Sequence, residues 1–138
     1  TYNVASEIDR LKSSGGNGAL FMKSYGGISL HNQSHGERFL AIMKNRFSGH
    51  GLYILDEPEA ALSPSRQMAM LALMKRLVDQ DSQFIISTHS PILMAYPEAE
   101  IIELDETGFR STPYKETTHY RLTNYFLNNT EQMLNELM

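Results

Sequence analysis

No cysteine occurs anywhere in the 138 residues, which excludes disulfides and thiolate metal sites and is compatible with a reducing compartment. No apolar run approaches the roughly 18 residues needed to span a membrane. The first residues also lack the basic, then apolar, then small-residue order of a secretion signal. Basic excess is missing as well. Twelve Lys and Arg stand against 16 Asp and Glu, a net charge of −4, so there is no global pull toward nucleic acid or anionic lipid, and only a local basic patch stays open. Repeats and low-complexity stretches are absent. What is present is ordinary globular composition, 41% hydrophobic and 20% charged, in a length that fits one domain or a piece of one. Residue 1 is Thr rather than Met, from which further chain upstream is expected.

Along the chain, Val4, Ile8 and Leu11 are spaced for an amphipathic helix, which stops at the glycine-rich loop Ser13–Gly18. "ALFMKSYGG" is compatible with a short strand ending at Gly26-Gly27. Ser34 and Glu37 form a capping-box pattern ahead of a helix with Phe39, Leu40, Met43 and Phe47 on one face. Leu52 to Leu55 is a continuous apolar or aromatic run, the pattern of a strand buried on both faces. Ser63-Pro64 reads as N-cap and first helical residue. The helix after it carries Met68, Leu71, Met74, Leu77 and Val78 along its apolar side, to about Asp79. "QFIIST" is a second strand and "EIIEL" a third, with "DETG" a hairpin turn into "FRSTPY", placed at an edge by Pro113. Tyr120–Asn128 and Glu131–Met138 close the chain as helices. This alternation predicts an α/β fold with a mainly parallel sheet flanked by helices.

Three short stretches carry chemistry. "GLYILDEPEAALSP" ends an apolar strand on Asp56 and Glu57, although burying an unpaired charge is costly. Two carboxylates at the carboxyl edge of a parallel sheet can hold Mg²⁺ and orient an attacking water. The plainer alternative is a strand end whose acids face solvent or cap the next helix. "STHSP" delivers His89 directly after the second strand, where an imidazole can meet a terminal phosphate or a water. The alternative role, capping the helix that starts at Pro91, can be filled by Ser90 instead. "QSHGE" exposes backbone N–H groups at a helix start, where the dipole favours an anion, although taken alone it is an ordinary cap.

In the order "SHGE", "LYILDE", "ALSP", "STHS", these motifs resemble the C-terminal half of an ABC-superfamily ATPase domain, including the SMC-like ATPases. Flanking stretches such as "SPILMAYPEAEIIELDE" resemble small standalone bacterial ATPases. The resemblance implies the C-terminal part of a P-loop NTPase fold over residues 1–138, with ATP and Mg²⁺ as cofactors and a cytoplasmic location. Ser34, His35, Gly36 and Glu37 would be the nucleotide-facing signature motif. Asp56 would be the metal ligand of Walker B and Glu57 the catalytic carboxylate. Ala61, Leu62 and Ser63 would form the D-loop, and His89 the switch histidine. The signature would act across a homodimer, and a membrane or DNA-linked partner stays open. Two positions depart from the pattern: His35 replaces the first signature glycine, and Ser63 the usual D-loop aspartate. No lysine stands in the Gly-Lys-Ser/Thr context of a phosphate loop, so the chain alone is expected to be inactive, with that loop on a preceding portion. The competing expectation is a non-catalytic interaction module with an ATPase-like fold.

Overall fold

Apolar spacing and capping chemistry explain most of the elements in the computed structural model, which describes residues 35–106 and 108–138. The expected helix at 4–11, the loop at 13–18, the strand at 19–27 and the Ser34–Glu37 capping box lie outside the described residues or rest on them. The chain divides into two units, one ending at Ile86 and one running Ser87–Met138.

In the first unit, α1 (His35–Arg46) leads to β1 (Leu52–Asp56), a 3₁₀ turn (Pro58–Ala61), α2 (Pro64–Val78) and β2 (Gln83–Ser87). β1 and β2 are neighbours in one sheet. The Gln83 N–H donates to the Gly51 carbonyl at 2.8 Å, so both strands start at the same end. With a helix as the crossover they run parallel. Buried Ser82 ties these two starts together: its Oγ accepts from the Gly51 N–H at 3.2 Å and donates to the Ser48 carbonyl at 3.1 Å.

The core of this unit is Leu40 and Met43 from α1, Leu62 from the loop, and Met70, Met74 and Leu77 from α2. The buried stripe of α2 is Gln67, Met70, Met74 and Leu77. Met68 and Val78, read from sequence as core positions, are exposed. The correction has a simple cause, because several overlapping helical stripes in this methionine-rich helix are apolar and only docking selects one. Phe47 stacks on Tyr53 with ring centroids 4.0 Å apart and planes 5° from parallel, and Phe84 lies 5.1 Å from Tyr53. Such pairs add about 0.5–1.5 kcal/mol each beyond area burial, and they pin the end of α1 to one face of the sheet.

The opposite face of the sheet is open. Leu52, Ile54 and Ile85 are 59%, 72% and 52% exposed, so the run expected to be buried on both faces alternates instead. A continuous apolar run records that both faces are suited to burial. It does not say what covers each of them.

The second unit holds α3 (Pro91–Met94), β3 (Ile102–Asp105), β4 (Gly108–Ser111), a 3₁₀ turn (Tyr114–Glu116), α4 (Thr118–Asn128) and α5 (Thr130–Leu137). β3 and β4 form an antiparallel hairpin with Glu103 opposite Arg110 and Leu104 opposite Phe109. They make a separate two-stranded sheet, so among the described residues the pairing is half parallel and half antiparallel, not mainly parallel. Gly108 closes the turn at φ 126°, open to glycine and strained for any side chain. Ser90 caps α3, its Oγ accepting from the Ile92 and Leu93 N–H groups at 3.1 and 3.2 Å.

Glu103 organises this unit. Its Oε1 accepts from the Thr118 N–H at 2.8 Å, at the start of α4, and its Oε2 accepts from Arg110 at 3.3 Å. The hydrogen bond from the Thr118 backbone, ahead of those from Thr112 and Arg110, holds the Glu103 carboxyl down from 4.5 to about 2. A depressed carboxyl stabilises the fold above its unfolded value and loses that contribution as pH falls through the folded one. Wild type is therefore expected to lose thermal stability relative to Glu103→Gln between pH 4.5 and about 2. Parallel melting curves of the two proteins across that window would expose a failure, namely a constant difference in Tm.

Candidate active site at the end of β1

The last residue of β1 is Asp56, which shares strand parity with Leu52 and Ile54 and is exposed on the open face. Glu57 follows at φ 41° and ψ 52°, in the left-handed region, as the residue leading into the 3₁₀ turn. Left-handed backbone costs a non-glycine residue about 1–2 kcal/mol, and His50, Asp81 and Glu98 take the same region elsewhere among the described residues. Pro58 is buried directly behind Glu57, and the Ala60 N–H returns to the Glu57 carbonyl at 3.1 Å, so the turn itself enforces the conformation. The pair is thus presented at a sharp corner, one carboxylate on the strand and the next off it.

Ala61, Leu62 and Ser63 form the link from this corner to α2. Leu62 is buried, and its carbonyl accepts from Gln67 Nε2 at 3.1 Å, which satisfies a buried amide that sequence reasoning did not single out. Ser63 occupies the N-cap position before Pro64, as expected, but its Oγ does not cap. It lies 3.1 Å from Ser65 Oγ instead.

His35, Gly36 and Glu37 make the first turn of α1, while Ser34 lies outside the described residues. Gly36 is buried against the link: a Cβ there would be driven into the Ala61 carbonyl oxygen, with Leu62 Cδ2 at 3.3 Å. The structure therefore brings together Gly36, Ala61 and Leu62, which are 25 and 26 positions apart in the chain. His89 belongs to the second unit, after β2 and just before the capped start of α3. It is exposed, with Nδ1 3.1 Å from Nε2 of His119. No spacing rule could have paired those two, since 30 residues separate them.

Asp56 and Glu57 are hard oxygen donors of the kind Mg²⁺ takes, usually one or two protein carboxylates completed by phosphates and water. Among the described residues no group of three or more His, Cys, Asp or Glu could hold a metal ion through the protein alone. The donor set fits an ion that arrives with a nucleotide.

A parallel strand pair with a helical crossover, and two carboxylates where the first strand stops, make this part of the chain an α/β arrangement with an acidic strand end. The AAA ATPase domain family matches residues 11–94, more than half of the chain, and the chain belongs to that family. It is also 34% identical over 82 residues to an uncharacterized ABC transporter ATP-binding protein of Haemophilus influenzae, a match covering 58% of this chain and 31% of the relative. The chain thus spans about a third of that relative's length. No solved structure matches it. The chain is an ABC/AAA-type ATPase domain sequence, and that family implies a P-loop NTPase fold.

Two stability outcomes follow from the corner. Gly36→Ala is expected to destabilise the protein by about 1–3 kcal/mol, the usual cost of overpacking, because its Cβ would meet backbone at Ala61. Denaturant unfolding with an unchanged midpoint would contradict that contact. At Glu57, Gly relieves the left-handed strain and is expected to leave Tm nearly unchanged, whereas β-branched Val should lower it by several degrees. Equal Tm values for the two variants would show that the conformation is not enforced.

Proposed function

We propose that this chain is the Walker B and signature portion of an ABC-type ATPase domain, with the phosphate loop supplied by another part of the intact protein. On this reading β1 and β2 are neighbouring strands of a larger, mainly parallel P-loop NTPase sheet. The observation that carries it is the corner at the end of β1, where Asp56 closes the strand and Glu57 is held left-handed beyond it.

Asp56 is the carboxylate that would hold Mg²⁺. When bound, that ion offsets the charge on the phosphate oxygens. Glu57 accepts a hydrogen bond from a water and takes its proton as the water oxygen bonds to the γ-phosphorus. The bond to the bridging oxygen breaks, and ADP and phosphate leave. His89 meets the γ-phosphate as a hydrogen-bond donor. Ser34 to Glu37 open α1 toward nucleotide held by a second copy, so that ATP closes a head-to-tail homodimer in the cytoplasm and hydrolysis reopens it. Ala61 and Leu62 lie against Gly36 of that turn, and with Ser63 they would link its position to the Glu57 corner. No helix among the described residues is long and apolar enough to cross a membrane, and a membrane or DNA-linked partner is left to experiment.

In the intact protein, Glu57→Gln is expected to lower ATP turnover by about 10²–10⁴-fold while nucleotide binding persists and the closed dimer accumulates. Phosphate release and light scattering with ATP read the two effects. Unchanged turnover would remove Glu57 from this role and favour the second reading, a non-catalytic interaction module that keeps an ATPase-like fold.

A further inference from the structure

The second unit contains a histidine pair of which only His89 belongs to a motif. His89 Nδ1 and His119 Nε2 are 3.1 Å apart, with ring centroids at 5.1 Å and planes 39° from parallel. At that distance one ring must donate and the other accept. If the proton sat on His89 Nδ1, its Nε2 would present a lone pair, which repels a phosphate oxygen. If His119 Nε2–H donates, His89 Nδ1 is the acceptor and its proton is placed on Nε2, where it can be donated to an anion.

Both rings stand on anchored backbone. Ser90, next to His89, caps α3 through two N–H groups, and its own N–H donates to Thr88 Oγ1 at 3.0 Å. His119 is the second residue of α4, whose start is held by fully buried Thr117 accepting from the Tyr120 N–H and by Glu103 accepting from the Thr118 N–H. Tyr114 adds a tie, its hydroxyl donating to the Pro91 carbonyl at 2.9 Å. The folded backbone therefore brings the two side chains within reach of each other.

We propose that His119 is the positioning residue of His89, donating from Nε2 to His89 Nδ1 and so holding His89 in the tautomer that donates from Nε2. This rests on the reading of His89 as the group that meets the γ-phosphate, and it adds to that reading a residue outside all four motifs. His119 itself touches no substrate and acts only through its neighbour.

The direct test is the tautomeric state of His89, read from ring nitrogen shifts in two-bond ¹⁵N–¹H spectra of the 138-residue chain. The expected result is an Nε2–H ring in wild type, a mixed state in His119→Ala, and the Nε2–H ring again in His119→Gln, whose amide N–H can replace the donor. A wild-type His89 protonated on Nδ1, or ring shifts unmoved by His119→Ala, would overturn the proposal. In the intact protein, His119→Ala should lower kcat about tenfold with KM for ATP unchanged, at the low end of what losing a histidine's orienting partner costs, and His119→Gln should recover most of it. Equal losses in the two variants would also overturn it. If His89→Ala leaves turnover unchanged, the γ-phosphate reading fails by itself, whatever the ring spectra show about the pair.

Discussion

The first unit depends on one close approach, the seating of Gly36 against the Ala61 carbonyl with no room for a side chain between them. Leu62 is buried beneath the first turn of α1, and Leu40, Met43, Met70 and Met74 are buried where α1 packs on α2. Buried Leu62 in turn orients its carbonyl to Gln67 and sets where α2 begins. The corner at Glu57 lies in sequence between the strand and this seam, its carbonyl accepting from the Ala60 N–H. The first turn of α1 and the link that follows the carboxylate pair are thereby packed against each other. Glycine is required at that place by a distance.

The second unit is held in a different way. Its few well-buried side chains, Leu93, Ser90, Thr112 and Thr117, are mostly polar and small. Such a core relies on satisfied hydrogen bonds more than on apolar area. Glu103 is the centre of that network, pairing across the hairpin with Arg110 and receiving the first N–H of α4. The same contacts place His119 opposite His89. Leu122, Tyr125 and Leu127 of α4 and Leu137 of α5 stay exposed, so these helices add little apolar burial of their own.

Much of this was legible in the residues. The Ser63-Pro64 start of α2, the Ser90 cap, the turn into β4 and both closing helices follow from local chemistry, because capping and turn preferences act over three or four positions. The Asp56-Glu57 corner was legible as an anomaly, two charges where an apolar strand stops. Less legible was which stripe of α2 is buried, since Met68 and Met70 are equally apolar and only packing distinguishes them. The continuous run Leu52–Leu55 likewise reports suitability for burial on both faces, while the structure covers one. The pairing of β3 with β4 in their own sheet, instead of alongside β1 and β2, depends on long-range contacts that no local window contains.

By itself, then, the sequence determined the order of helices and strands among the described residues, the Ser90 cap, the carboxylate pair, the histidine after β2 and the family to which the chain belongs. These are properties of neighbouring residues or of a motif order, and both survive in one dimension. Tertiary structure alone decided that Gly36 lies on Ala61, that Glu57 is left-handed, that Glu103 caps a helix 15 residues away and that His119 faces His89. Each of those depends on backbone segments brought within a few ångströms of one another, and the free energy that selects them comes from the packing of the whole unit.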